Sequence, residues 1–144
     1  MWHISGKVNK LSRSLGAYRG ARIDDKNLLP HHYSLVWAIC REEGRSQEQL
    51  TEVLCLNKST VARALASLEE KGYVRRAPSD ADRRVLLVYP TEKTRALYPI
   101  VRQVTEEWNA KVTEGISEEE LAVCESVLKR MQQKAMALLR KETE

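Results

Sequence analysis

Apolar positions recur along much of this chain at helical spacing. Ile4, Val8, Leu11, Leu15 and Tyr18 step by four, three, four and three with polar residues between them, which predicts an amphipathic helix over residues 4–18. Gly6, Gly16 and Gly20 each cost such a helix about 1 kcal/mol relative to Ala. It is therefore expected to rest against another surface, and the patch Asp24 to Pro30 ends it. Pro30, as a first helical residue, opens a second, largely buried helix over His31 to Glu43, with Gly44 as its C′ residue. Ser46 followed by Gln49 is a capping box for a short third helix ending near Leu54. A turn of three residues follows. Asn57 then caps a fourth helix running to Lys71, closed by Gly72.

On that fourth helix Val61, Ala64, Leu65 and Leu68 share one face, while Ser59, Thr60, Arg63 and Ser67 point the other way. The outward face is small, polar and basic, where a helix built only for stability would carry Glu and Lys pairs. Tyr73 to Ala77 and Val85 to Tyr89 are rich in β-branched and aromatic residues. They flank Pro78-Ser79-Asp80-Ala81-Asp82, which predicts a long hairpin with Arg75, Arg76, Arg83 and Arg84 on it. Pro90 ends the second strand, and Thr91 is placed to cap a fifth helix with the stripe Leu97, Val101, Val104, Trp108 and Val112. Ser117 and Glu120 form another capping box. Behind them Leu121, Cys124, Leu128, Met131, Ala135 and Leu138 make a second heptad-type seam.

Composition narrows the picture. A length of 144 residues suits one domain, and 42% apolar with 31% charged residues excludes disorder by composition. The net charge of +4 is uneven: residues 57–90 hold +3 and residues 91–144 hold −1. A polyanion is thus expected at the centre of the chain rather than at its end. Cys40, Cys55 and Cys124 are widely spaced, which predicts reduced cytosolic thiols, and no apolar run approaches a membrane span.

Four helices, a two-stranded hairpin with a basic tip and two more helices form the element string of a winged helix inserted between terminal helices. The expected fold is mainly α with a small β-hairpin wing. It divides into an N-terminal dimerisation helix and linker (1–30), a winged helix-turn-helix DNA-binding region (31–90) and C-terminal dimerisation helices (91–144). In a helix-turn-helix the second helix enters the major groove. Ser59, Thr60, Arg63 and Ser67 would then meet base edges, with Arg63 the guanine candidate. Asn57 and Lys58, at the helix start, would meet phosphate. Arg75 lies on the basic hairpin, and Arg83 and Arg84 beside its tip are placed for the minor groove.

These residues carry a resemblance to the MarR/SlyA family of bacterial transcriptional regulators. Leu56 to Arg63 followed by Leu68 to Val74 looks like that family's recognition helix and its entry to the wing. Asp82-Arg83-Arg84, with Thr91 nine residues after Asp82, is similar to its wing signature. The resemblance implies that Asp82 orients Arg84, that Arg84 is the minor-groove arginine, and that the chain is a homodimer with interlocked terminal helices. Pro90 and Thr94 stand where the family usually has Leu and Gly. Pro30 and His32 stand where Thr and Gln are commoner.

The expected function is a sequence-specific regulator of transcription, a homodimeric cytoplasmic repressor released from a pseudo-palindromic double-stranded operator by a small molecule or by oxidation. Arg13, His31, His32, Tyr33, Trp37 and Trp108 are the candidates for a pocket holding a small aromatic effector. Cys55, beside the recognition helix, is the possible redox residue, while Cys40 and Cys124 fall on apolar helix faces and read as buried hydrophobes. A metal-responsive regulator of the same fold would draw on His3, His31, His32 and Cys40. Adjacent histidines on a helix diverge by about 100°, so neither a metal nor any other cofactor is expected. A winged helix used only as a protein-interaction module would have no need of both base-readable residues and wing arginines. Against an enzyme stands the lack of a Gly-rich phosphate loop, a His-Glu-x-x-His or a Ser/His/Asp arrangement.

Overall fold

A computed structural model describes residues 3–143. Its elements are α1 (Ile4–Arg22), α2 (His32–Arg41), β1 (Arg45–Ser46), α3 (Gln47–Leu54), α4 (Lys58–Glu70), β2 (Val74–Pro78), β3 (Leu86–Pro90), α5 (Glu92–Val112) and α6 (Glu118–Thr143). β3 is the centre of a three-stranded antiparallel sheet of order β1-β3-β2. The hairpin pairs Val74 with Pro90 and Pro78 with Leu86, one residue later than the sequence pattern predicts for each strand. Strand β1 escapes the pattern because two residues carry no periodicity.

Local rules place most helix ends. Gln49 N donates to Ser46 Oγ at 3.0 Å and Ser46 N to Gln49 Oε1 at 2.8 Å, the expected box. At the other box Glu120 N donates to Ser117 Oγ at 3.2 Å and Ser117 N to Glu120 Oε2 at 3.1 Å. Gly72, at φ 81°, sits in a Schellman motif: Gly72 N donates to Glu69 O and Tyr73 N to Leu68 O.

Three expected ends differ. Pro30 lies two residues ahead of α2, whose first residue is His32; His32 N donates to Leu29 O, and the His32 ring holds Leu29 N. That turn replaces a proline start. Gly44, at φ 84°, does not cap α2, since Glu42 has extended geometry there; instead its N–H donates to Val88 O at 2.9 Å and opens β1. Thr91 occupies the N-cap position of α5, but its hydroxyl donates back to Gly72 O at 2.7 Å rather than capping. α1 also continues past Tyr18 to Arg22.

The core belongs to α2, α3, α4, the sheet and the middle of α5. Leu35, Val36, Ile39, Leu50, Val61, Leu65, Leu68, Tyr73, Val88 and Val101 are fully or almost fully buried. Ala64 joins them, so the predicted inner face of α4 is the observed one. The seams at the two ends of the chain differ from this. Ile4, Val8 and Leu11 on α1 and Leu128 and Leu138 on α6 are exposed. Cys124 is exposed too, in contrast to the expected buried thiol, and among its seam residues only Leu121 and Met131 are even half-buried. No helix among the described residues is long and apolar enough to cross a membrane.

Candidate nucleic-acid interface

Three stretches carry the exposed polar residues, and Lys58 at the start of α4 and Arg84 on the wing line one cleft. The first is the start of α4, where Asn57 Oδ1 accepts from Thr60 N at 2.7 Å and from Ser59 Oγ at 2.8 Å. Asn57 thus uses its carbonyl to cap the helix and keeps its amide for outside partners. Lys58 beside it is exposed, at the positive end of the helix dipole. The second is the outward face of α4, with Ser59 and Arg63 exposed and Thr60 and Ser67 half-buried. Glu69, one possible partner for Arg63, is occupied elsewhere: it accepts from Arg76 N at 2.9 Å and from Arg76 Nη2 at 3.1 Å. Those bonds hold its carboxylate below the usual range. Arg76 also reaches Gln47 Oε1 at 3.2 Å, so it ties the wing root to α3 and α4.

The third element is the wing. Asp82 Oδ1 accepts from Arg84 N at 3.1 Å, and the guanidinium returns through Nε and Nη2 to both carboxylate oxygens, each at 3.1 Å. This is a bidentate fork. The Arg84 side chain nevertheless stays 91% exposed, so the fork aims it without hiding it. The same bonds lower the Asp82 pKa and raise that of Arg84. Arg83 is exposed beside it. Arg75, also exposed, lies 4.2 Å from the Tyr89 ring centre and covers that ring as a cation–π partner.

The six residues expected to line an effector pocket do not come together. Arg13 and His31 are exposed. Trp37 stacks edge-on with Tyr98 at 5.8 Å, whereas Trp108 Nε1 donates to Ser14 Oγ at 3.2 Å on α1. His32 is 1% exposed, and its Nδ1 accepts from Leu29 N at 3.2 Å. Burial, then the charges of His31 and Lys71, push its pKa down to about 4, so it serves as a neutral structural acceptor. Tyr33 is buried in the core. A cavity of about 220 Å³ is lined instead by residues including Ser46, Lys58 and Arg84, and one of about 520 Å³ by residues including Cys55, Leu56 and Met136.

The residue that sequence reasoning missed is Arg19. It is 8% exposed, donates from Nε to Thr105 Oγ1 at 3.0 Å and lies 5.9 Å from the Tyr33 ring centre. Burial lowers its pKa. The signal was available: Leu15, Arg19 and Ile23 follow an i, i+4, i+8 ridge, and Ile23 is buried. Cys40 is half-buried, with its thiol pushed up to about 11 by burial and then by Glu43, so the thiolate form is suppressed. Cys55 is half-buried in the turn before α4. Among the described residues no group of three His, Cys, Asp or Glu is arranged to hold a metal ion.

A helix-turn-helix followed by a two-stranded wing with a basic tip, flanked by long helices, defines a winged-helix protein. Residues 26–85 match the model of the MarR family. The chain is 26% identical over 128 residues to the HTH-type transcriptional regulator YybA of Bacillus subtilis (strain 168), covering 89% of this chain and 85% of that one. It is similar to a crystal structure of a MarR family regulator from Listeria monocytogenes complexed with 26mer DNA, with TM-score 0.88, 26% identity and coverage of 99% and 96%. The crystal structure of the transcriptional regulator SlyA gives TM-score 0.84 at 26% identity, covering 94% and 96%. In sequence over residues 26–85 and in fold over nearly its whole length, the chain is similar to MarR family transcriptional regulators.

Proposed function

We propose that the chain acts in the cytoplasm as a homodimeric repressor that binds a pseudo-palindromic double-stranded operator. The observation that carries this reading is the Asp82–Arg84 fork, which holds a 91% exposed guanidinium at the wing tip, joined to the exposed polar face of α4. In the proposed complex Arg63 and Ser59 read base edges with Thr60 and Ser67 beside them. Asn57 and Lys58 fix phosphates, Arg75 backs the wing, and Arg83 and Arg84 enter the minor groove.

The dimer is supported by the exposed apolar seam residues on α1 and α6. Two-fold symmetry would present two recognition helices to half-sites roughly 34–36 Å apart. Of the two signals considered, a small anionic or phenolic effector is favoured by Arg19, a buried guanidinium that faces a threonine and a tyrosine instead of a carboxylate. A buried cation with neutral partners is receptive to an anion. An oxidative signal would act through Cys55.

Arg84→Ala should weaken binding on every sequence, while Arg63→Ala should also relax preference at one base pair per half-site, by about 1–3 kcal/mol. Titrations against an operator selected from random DNA and its single-base variants decide this. Equal, sequence-blind losses would remove the role assignment. Log K against log salt should fall with a slope near −0.9 per neutralised phosphate, and a salt-independent interaction would overturn the DNA reading.

A further inference from the structure

Tyr73 follows the recognition helix directly and is fully buried, yet all of its polar atoms are tied to other parts of the chain. Its N–H closes α4 on Leu68 O. Its carbonyl accepts from Thr94 Oγ1 at 2.6 Å and from Thr91 N at 3.1 Å, which fastens it to the start of α5. Its phenol donates to Asp25 Oδ2 at 2.5 Å, 48 residues away in the linker between α1 and α2. Burial first, then this bond, raise the phenol's pKa, so it stays a donor. Asp25 is itself held: its Oδ1 accepts from Asn27 N at 3.1 Å and its carbonyl from Leu28 N at 3.3 Å. A parallel tie runs from Lys71 Nζ to Asn27 O at 3.0 Å.

The C-terminal end of α4 is therefore the point at which the linker from α1 and the start of α5 both attach to the reading head. We propose that the Tyr73–Asp25 clasp, with Asn27 and Lys71 beside it, sets the angle of the recognition helix against the dimerisation helices, and through it the half-site spacing that the dimer accepts. The proposal rests on the dimeric DNA-binding reading above. Tyr73 and Asp25 are positioning residues: Tyr73 is buried, and Asp25 lies in the linker between α1 and α2, away in sequence from the polar face of α4 and the wing. The departure at Thr94 has a role here: a glycine could not make its hydroxyl bond to Tyr73 O.

The test uses the full chain as wild type, Tyr73→Phe, Asp25→Ala and Asp25→Asn. The selected operator is rebuilt with its half-sites moved closer or apart in single base-pair steps, and affinity is read by fluorescence anisotropy at fixed salt. Each added base pair turns one half-site about a tenth of a turn, so the wild type should lose about tenfold or more at one step. Tyr73→Phe and Asp25→Ala should flatten that profile to within about threefold, as expected when one positioning bond is lost. Dimerisation in sedimentation should remain unchanged. Asp25→Asn retains an oxygen that accepts from the phenol and should keep the sharp profile.

Asp25→Ala also frees the linker turn, so Tyr73→Phe, which keeps the buried ring, is the decisive variant if the alanine chain fails to fold. A wild-type profile in Tyr73→Phe, or a loss equal at all spacings, overturns the clasp while leaving the dimeric reading intact. A wild type that binds DNA without regard to spacing overturns that reading, and the clasp with it.

Discussion

The reading head and the terminal helices are made from similar residues and reach opposite conditions. In the head, Leu50, Leu65 and Leu68 are fully buried; on α1 and α6, Leu11, Leu128 and Leu138 remain 52%, 43% and 65% exposed. Both regions have regular apolar spacing, and each has a capping box, at Ser46 in the head and at Ser117 on α6, so local helix quality does not separate them. The separation is in what the apolar stripe meets. In the head three helices and a sheet close over each other, whereas α6 approaches the body near its end, with Arg140 Nη2 lying 3.4 Å from Glu52 Oε1. An apolar seam left open on a soluble helix carries information about another molecule.

The strongest way to break this comparison is to charge the open seam. Leu128→Glu together with Leu138→Glu should leave the head folded but abolish dimerisation. Operator affinity should then fall by about a thousandfold, because the second half-site no longer binds at high effective concentration. Sedimentation and operator titration check both halves of that statement. Leu65→Ala is the matching deletion in the head. It should cost about 2–5 kcal/mol at any protein concentration, read from denaturant midpoints. If the seam variant unfolds the head, or if Leu65→Ala is rescued by concentration, the two regions are one cooperative core and the division fails.

The buried histidine sharpens the comparison from the side of pH. His32 has a folded pKa near 4 against about 6.5 in an unfolded chain. Between those values the unfolded state binds more protons, so stability rises with pH. The contribution is complete above pH 6.5 and is lost as pH falls toward 4, on the order of 3 kcal/mol for the full shift. His32→Asn should remove that part of the acid sensitivity. The measurement is the difference between wild type and variant in urea midpoints at pH 7 and pH 4.5, which cancels the carboxylates at Asp82, Glu69 and Glu43 that also lose their cationic partners in acid. Dimer dissociation should not share the effect, because His32 lies in the head.

What could be read from the sequence follows the reach of each interaction. The boxes at Ser46 and Ser117, the cap at Asn57 and the stop at Gly72 involve residues within five positions of each other, so residue type and spacing suffice. The Asp82–Arg84 fork, two residues apart on a turn, is expected from the resemblance to the family's wing signature rather than from spacing alone. The Thr91 hydroxyl is not legible in the same way, because its partner, Gly72 O, lies 19 residues away. Arg76 has the same residue type as the other wing arginines, yet Glu69 and Gln47 hold it in the frame. Residue type alone does not tell that Trp37 lies beside Tyr98 and Trp108 beside Ser14, so the neighbours of the effector candidates are not legible in the sequence. Arg19 and Arg13 look alike as types, and only the ridge through Leu15 and Ile23 distinguishes them.

The smallest expected effect lies in the turn between α3 and α4, where the head depends on one backbone angle. Cys55 has φ 53° and ψ 43° and closes α3 in the left-handed region, with Cys55 N donating to Glu52 O at 3.2 Å. A side chain there costs roughly 1–2 kcal/mol relative to an unstrained conformation, and glycine removes that cost but adds entropy to the unfolded chain. Cys55→Gly should therefore raise stability by no more than about 1 kcal/mol, a few degrees in melting midpoint. Cys55→Val, β-branched at the same angle, should lower it by more than Cys55→Gly raises it. Both shifts should be independent of protein concentration, as a property of the head. The glycine variant also separates the two proposed signals: if oxidant still releases it from the operator as it releases wild type, Cys55 is a turn residue and not a sensor.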